Sequence, residues 1–193
     1  RTTAMKKTIL YFMIVFFSFT LTGCDITDSS DKKTDNGPGT GATDNGVYNV
    51  TPPSGTVKLI FMHHSCGQNW LSTGNGNLGT ALNANNYFVS DTNYGWDAES
   101  GDNLGDHTDT SDWPLWFNNT KMPYVYAHYA NSCYTNSISD PGGENEIVMF
   151  KSCYPLSEVG GSIDDEKAIY NGLLTYFQSH TDKLFILITP PGE

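Results

Sequence analysis

Short apolar runs bounded by polar residues predict four β-strands. Each run is too short for a stable helix, and a nearly continuous apolar stretch of this length is typical of a strand buried on both faces of a parallel sheet. The four predicted strands cover residues 57–62, 87–92, 147–150 and 184–188.

Helical periodicity is strongest over residues 164–180, where apolar side chains recur every four positions. Ser162 and Asp165 have the spacing of a capping box at the start of this helix. Residues 78–85 predict a shorter helix, and residues 112–117 predict a helical turn with a proline near its start. Because crossover segments separate the strands, the pattern predicts an α/β domain built on a parallel sheet.

The N-terminal segment predicts export rather than a folded element. From Met5 onward a basic start, an apolar run and a small-residue end form a signal sequence, with residues 1–4 lying upstream of it. The sequence LTGC at residues 21–24 resembles the lipobox of bacterial lipoproteins, in which the cysteine is lipidated. We therefore expect Cys24 to anchor an exported protein on the periplasmic or cell-surface side of a bacterial membrane, with an ordinary secretory signal or an uncleaved anchor helix as alternatives.

The sequence therefore divides into three segments. Residues 1–23 comprise the upstream residues and the signal peptide, and residues 24–55 predict a solvated tether because they consist largely of Asp, Ser, Thr, Gly and Pro. Residues 56–193 form the predicted domain. Since the sequence stops shortly after the fourth strand, we expect the domain to be incomplete at that end.

The negative charge of the chain argues against nucleic acid and phosphate groups as partners. The 193 residues have a formal net charge of −11 and a single arginine, Arg1. Residues 1–23 contain three of the ten basic residues and none of the 21 acidic ones, so the remainder carries −14. Such a chain is unsuited to nucleic acid or to clamping phosphate, whereas a hydrophobic content of 38% is sufficient for a packed core.

Candidate chemistry follows two of the predicted strands. The sequence HHSCG at residues 63–67 comes directly after the first strand, and KSCYP at residues 151–155 comes after the third. Ligands of parallel α/β sheets bind beyond the carboxyl ends of the strands. These two segments are therefore the predicted walls of a site.

In these segments the sequence resembles the SGNH/GDSL hydrolases, which are esterases and lipases with a flavodoxin-like three-layer α/β/α fold. The resemblance covers residues 56–193 and implies that Ser65 is the nucleophile, with its own N–H helping to bind the oxyanion. It also implies oxyanion contacts from the Gly95 N–H and from Ser152, which stands where the family usually has asparagine. His64 stands where aspartate is usual, and the activating aspartate and histidine would lie beyond the last residue.

The aromatic content of residues 94–146 indicates the substrate class. Tryptophan and tyrosine are mixed there with many Asn and Asp residues, which suits sugar rings that stack and form hydrogen bonds at once. We expect His64, Trp96 and Lys151 to contact a carbohydrate or other acyl ester. The predicted protein is thus a membrane-anchored serine esterase, or alternatively a non-catalytic lipoprotein that keeps the fold to bind glycans or a partner.

The cysteines leave several pairings open. With Cys24 lipidated, Cys66, Cys133 and Cys153 remain, and export exposes them to an oxidising compartment. In the strand order of the SGNH family the first and third strands are neighbours, which permits a Cys66–Cys153 disulfide. A Cys133–Cys153 disulfide competes with it, and Cys66 as a nucleophile is a third possibility.

No metal or cofactor is predicted. His63 and His64 are adjacent in an extended segment, so their side chains should point to opposite faces and should not bind one metal together. The sequence GNGNLG at residues 74–79 starts too far beyond the first strand for a dinucleotide fingerprint and is interpreted as a turn-rich loop. A calcium site and a solvated acidic loop are the alternatives for four aspartates, Asp97, Asp102, Asp106 and Asp109.

Overall fold

The computed structural model describes residues 51–155, 158 and 160–188. Strands β1 (Val57–Met62), β2 (Tyr87–Thr92), β3 (Ile147–Lys151) and β4 (Leu184–Ile188) form one parallel sheet in the order β2-β1-β3-β4. The prediction of an α/β fold on a parallel sheet is confirmed. The four strands lie where the apolar runs predicted them, and β3 is one residue longer than expected.

Within the described part of the chain, five α-helices connect or flank the strands. They are α1 (Cys66–Leu71), α2 (Leu78–Ala84), α3 (Trp113–Trp116), α4 (Met122–Ala127) and α5 (Ile163–Ser179), with 3-10 turns at Leu104–Asp106 and Thr110–Asp112. The capping box at α5 is confirmed, because the Ser162 side chain accepts the Asp165 N–H and Asp165 accepts the Ser162 N–H. The sequence pattern did not predict α1 and α4, which are each only six residues long.

Both faces of the sheet are covered. Along β1, Leu59 and Phe61 belong to one core cluster, whereas Ile60 and Met62 belong to the other, as the alternation of side chains along a strand requires. The first cluster is completed by residues around α1 and α2, including Trp70, Leu71 and Leu78. The second is completed by residues of α3 and α5, including Trp113, Trp116, Leu173 and Phe177.

The strand order places the candidate site. The chain passes from β1 to β2 on one side of β1 and returns to β3 on the other side. At such a reversal the connections after the two central strands diverge and leave a crevice at the carboxyl ends, which is where open α/β sheets bind ligands. The segments that follow β1 and β3 therefore face each other across this crevice.

The predicted signal peptide, the lipidation of Cys24 and the tether up to residue 50 lie outside the described residues. Within the part of the chain that is described, no helix combines the length and the apolar character that crossing a bilayer would require.

A buried asparagine holds the end of α4 against the sheet. The side-chain nitrogen of Asn145 lies 2.7 to 3.1 Å from the carbonyl oxygens of Val125, Tyr126 and His128, and its oxygen lies 3.1 Å from the Ser90 hydroxyl on β2. The side chain is fully buried. The Val125 and Tyr126 oxygens also accept backbone N–H groups, so removing the amide would leave the His128 carbonyl without its donor and break the link to Ser90, and that loss costs more than a solvated hydrogen bond.

We predict that Asn145→Ala lowers the free energy of unfolding by about 2 kcal/mol. Urea denaturation followed by tryptophan fluorescence measures this change. Asn119→Ala is the matched control, because Asn119 is exposed, and it should stay within about 0.5 kcal/mol of the wild type. Equal stability of the two variants would contradict a structural role for the Asn145 amide.

Candidate active site

The segments after β1 and β3 meet at the carboxyl edge of the sheet. The sulfur atoms of Cys66 and Cys153 lie 3.7 Å apart, and the Nδ1 atom of His64 lies 3.3 Å from the Cys153 sulfur. Residues that are almost ninety positions apart in sequence thus form one cluster.

Ser65 occupies a strained turn between β1 and α1. Its backbone has φ 49° and ψ −115°, a conformation that residues other than glycine rarely adopt. Holding a serine there costs about 1–3 kcal/mol, and such strain is concentrated at functional sites. Ser65 precedes the first residue of α1, yet its side chain forms no capping hydrogen bond, and the residue is exposed. The hydroxyl is therefore not used to stabilise the helix.

Gly67 explains how tightly this turn is packed. A Cβ atom at this position would lie 2.5 Å from Cβ of His63 and 2.8 Å from Cε of Lys151, well inside van der Waals contact. Only glycine lets the first turn of α1 approach the ends of β1 and β3 so closely.

His64 is buried and connects three side chains of the cluster. Besides the Cys153 contact at Nδ1, its Nε2 atom lies 3.8 Å from Oδ1 of Asp109. The ring stacks on Tyr94 with centroids 5.0 Å apart. The prediction that His64 belongs to the site fits this placement, but its direct neighbours are protein side chains.

Lys151 sets the electrostatics of Cys153. Its ammonium group is 1% exposed and donates to the Cys153 sulfur at 2.8 Å. Burial alone raises the pKa of the Cys153 thiol, but hydrogen bonds from His64 and Lys151, together with their positive charge, outweigh burial and lower the pKa to about 6. Cys153 is thus a thiolate at neutral pH.

Ser152 and Asp109 brace the loop after β3. The Asp109 carboxylate accepts from the Cys153 N–H at 3.1 Å and from the Ser152 hydroxyl at 3.1 Å. The same hydroxyl accepts from the Thr110 N–H and lies 2.5 Å from the Tyr154 carbonyl oxygen. Since its single proton is already directed at protein acceptors and the residue is buried, this geometry does not support the predicted oxyanion contact from Ser152.

Two further predicted site residues have roles in the scaffold. The Gly95 N–H donates to Asp106 at 2.8 Å, so it is not free to bind an oxyanion. Trp96 stacks on Trp116 with centroids 5.5 Å apart and packs, half-buried, against the core, so its role as a substrate contact stays a prediction. The exposed aromatic residues beside the cluster are instead Tyr94, at 59% exposure, and Tyr154, at 50%.

His63 points to the other face of the sheet and forms a separate buried cluster. Its Nε2 atom lies 3.0 Å from Asp91, whose carboxylate also accepts from Ser132 and from the Cys133 thiol at 3.3 Å. The prediction that His63 and His64 face opposite ways is confirmed. Burial and the neighbouring Asp91 charge raise the pKa of Cys133 to about 12, so this thiol stays protonated.

The sulfur that faces Cys153 is that of Cys66, which favours a Cys66–Cys153 disulfide over a Cys133–Cys153 disulfide.

Among the described residues, two groups of donor atoms are close enough in space to surround a metal ion, one around His63 and one around His64. In the first, Asp91 is already satisfied by hydrogen bonds. In the second, the Lys151 ammonium beside the sulfur opposes a cation. The acidic loop is likewise organised by hydrogen bonds, because Asp97 accepts backbone N–H groups and Asp102 pairs with Lys121 at 2.8 Å. These contacts favour the solvated-loop alternative over a calcium site.

Comparisons with known protein families, with curated proteins and with solved structures find no match to this chain. Sequence reasoning did not find the thiolate at Cys153 or the contact between His64 and Asp109. Lysine two positions before cysteine at a strand end was the available signal, because a nearby cation lowers the pKa of a thiol.

We predict that iodoacetamide alkylates Cys153 at a rate that rises as pH increases through about 6, since the thiolate forms above that pKa. Cys133 should stay unlabelled up to strongly alkaline pH because its pKa is about 12. Peptide mapping of reduced, folded protein by mass spectrometry distinguishes the two sites, with Cys133→Ser as the control. A Cys153 midpoint at the ordinary thiol value of about 8.5 would contradict the electrostatic assignment.

Proposed function

We propose that this protein hydrolyses acyl esters with Ser65 as the nucleophile, on an SGNH-like, flavodoxin-like α/β/α scaffold. The observation that carries the proposal is the strained and exposed strand-to-helix turn at Ser65, whose hydroxyl is not used as a cap. Serine hydrolases of the α/β class present their nucleophile on a turn of this kind at the top of a parallel sheet. The β2-β1-β3-β4 order, which flavodoxin-like domains share, supports the scaffold assignment.

In the proposed reaction the Ser65 hydroxyl attacks the ester carbonyl, the alcohol leaves, and water releases the acyl group from serine. The Ser65 N–H would hold the oxyanion, as the family resemblance implies. Among the described residues no imidazole or carboxylate is hydrogen-bonded to the Ser65 hydroxyl. The family resemblance implies that the base is a histidine paired with an aspartate, and no described residue is assigned to that role.

The proposed substrate is a neutral carbohydrate ester. Tyr94 offers an exposed ring whose other side stacks on the buried His64, so the ring is held in place for stacking with a sugar. Lys151 is not available as a counter-charge, because its ammonium is buried against Cys153. With an acidic chain overall, the site has little to attract an anionic substrate. We also propose export and a lipid anchor at Cys24.

A second candidate function is glycan binding without catalysis. The Tyr94 ring, which is fixed by stacking on His64, supports glycan binding as much as ester hydrolysis, since stacking on a sugar requires no nucleophile. The two functions differ in what they require of Ser65. Binding would survive the loss of the hydroxyl, whereas hydrolysis would not.

We predict that Ser65→Ala lowers kcat for p-nitrophenyl acetate in the full-length protein by at least about a thousandfold, because the attacking oxygen is removed. A fluorophosphonate probe should label the wild type at Ser65 and leave Ser65→Ala unlabelled. Cys66→Ala and Cys153→Ala are the matched controls and should keep both signals. Turnover that persists in Ser65→Ala but is lost in Cys66→Ala would transfer the nucleophile to the thiol.

The strain itself can be measured with a second substitution. Ser65→Gly should be more stable than Ser65→Ala by about 1 kcal/mol in urea denaturation, because glycine accepts a positive φ without a Cβ clash. Both variants should be inactive. Equal stability of the two variants would show that the turn relaxes and stores no strain.

We predict that Tyr94→Ala raises KM for an acetylated oligosaccharide by about threefold to tenfold, the size expected for one lost aromatic contact. The loss on p-nitrophenyl acetate should be smaller, because that ester has no sugar ring. Tyr124→Ala is the matched control, since Tyr124 is exposed on α4 and should leave both substrates unaffected. An equal loss on the two esters would assign Tyr94 to positioning His64 rather than to sugar binding.

A further inference from the structure

A buried cation and two facing sulfur atoms lie next to the Ser65 turn, and the proposed ester hydrolysis uses neither. We propose that Cys153 and Cys66 form a redox-active pair, in which the Cys153 thiolate is oxidised by a hydroperoxide and Cys66 resolves the product to a disulfide. The proposal is independent of the proposed hydrolase function, because no step in it involves Ser65.

The position of Lys151 requires an anion at Cys153. The Lys151 ammonium is almost completely buried, and within the described residues it forms no ion pair with a carboxylate. Its one hydrogen-bond acceptor there is the Cys153 sulfur at 2.8 Å, and the Trp70 ring lies 5.6 Å away. A buried charge without a counter-charge is strongly unfavourable, so the sulfur must carry the negative charge that balances the ammonium.

The second donor at this sulfur is His64. Its Nδ1 atom lies 3.3 Å from the sulfur, and its Nε2 atom lies near the Asp109 carboxylate, which orients the ring. The titratable and charged groups that face Cys153 are Lys151, His64, Asp109 and Cys66. Cys153 is only half-buried, so a small peroxide can reach a thiolate that the protein has stabilised in advance.

Cys66 is placed to resolve the oxidised product. Its sulfur lies 3.7 Å from that of Cys153, and a disulfide needs a separation of about 2.05 Å, so a movement of less than about 2 Å closes the bond. Cys66 is the first residue of α1, at the end of the strained turn, where rotation of one side chain can supply that movement. Cys133 cannot substitute for it, because its thiol donates to Asp91 in the separate cluster on the other face.

The reaction balances in two steps. The Cys153 thiolate attacks one oxygen of the hydroperoxide, a sulfur–oxygen bond forms, the oxygen–oxygen bond breaks, and hydroxide or alkoxide leaves to give a sulfenic acid. The Cys66 thiol then attacks the sulfenic sulfur, which forms the disulfide and releases water. The hydroperoxide is the oxidant, and a dithiol such as reduced thioredoxin or dithiothreitol returns the pair to thiols.

The test uses reduced full-length protein treated with one equivalent of hydrogen peroxide at pH 6 and analysed by intact mass and peptide mapping. We expect a mass loss of about 2 Da and a peptide containing the Cys66–Cys153 bond. In Cys66→Ser we expect instead a gain of about 16 Da on Cys153, which dimedone traps as a sulfenic acid. Cys133→Ser should behave like the wild type, and Ser65→Ala should also be unchanged, which separates this outcome from any failure of the hydrolase proposal.

Lys151→Met tests the origin of the reactivity. We expect oxidation at pH 6 to slow by about tenfold, because the loss of thiolate outweighs the higher intrinsic nucleophilicity of a less acidic thiol. Lys167→Met, which alters an exposed lysine on α5, is the control. If Lys151→Met does not fold, the pH dependence of the wild-type oxidation rate replaces it, with an expected midpoint near the Cys153 pKa of about 6. Oxidation at Cys133, a dimedone adduct absent from Cys66→Ser, or an unchanged rate in a folded Lys151→Met would each overturn the proposal.

Discussion

Strand β1 pairs with β2 on one side and with β3 on the other, and because all three run parallel, their carboxyl ends lie at one edge of the sheet. Both faces of β1 are buried, so its register with its neighbours is fixed by the packing of alternate side chains. The register therefore fixes the position of the segment that follows β1 relative to the end of β3. The approach of Cys66 to Cys153, the contact of His64 with Cys153 and the tight turn at Ser65 all follow from this pairing.

The same alternation gives two adjacent histidines opposite surroundings. His63 continues toward the face where Asp91 provides a negative charge, and Cys133 near that charge keeps its proton. His64 turns the other way and contacts Cys153, which also accepts from the buried Lys151 ammonium and loses its proton. Two cysteines of similar exposure thus differ in reactivity because of the sign of the nearest buried charge, and burial alone does not distinguish them.

The sequence predicted the elements whose signal is local. Three strands have the predicted bounds, and α5 differs by only one residue at each end because its capping box and periodicity are both complete. The two short helices α1 and α4 give too few turns for periodicity to register.

The site was predicted less completely, for reasons that are also physical. The position of Ser65 follows from the end of β1, but its positive φ depends on the close approach of α1 and is not visible in local preference. The partner of His64 is Asp109, which lies in a long loop whose path is set by hydrogen bonds between its own carboxylates and backbone. Gly95 and Trp96 were assigned from composition and family position, whereas packing of the loop decides where their N–H and ring are used.

Gly67 has a wider consequence than room for a turn. A side chain here would displace Cβ of His63 and Cε of Lys151, so one backbone position touches both the His63 cluster and the Lys151 cluster. The buried charge is negative at Asp91 in the first cluster and positive at Lys151 in the second. The two clusters share no hydrogen bond among the described residues, yet both would be contacted by a side chain at position 67. A displacement of α1, such as the movement needed to join two sulfur atoms, would be transmitted through that boundary as a mechanical push on His63 and hence on its contact with Asp91.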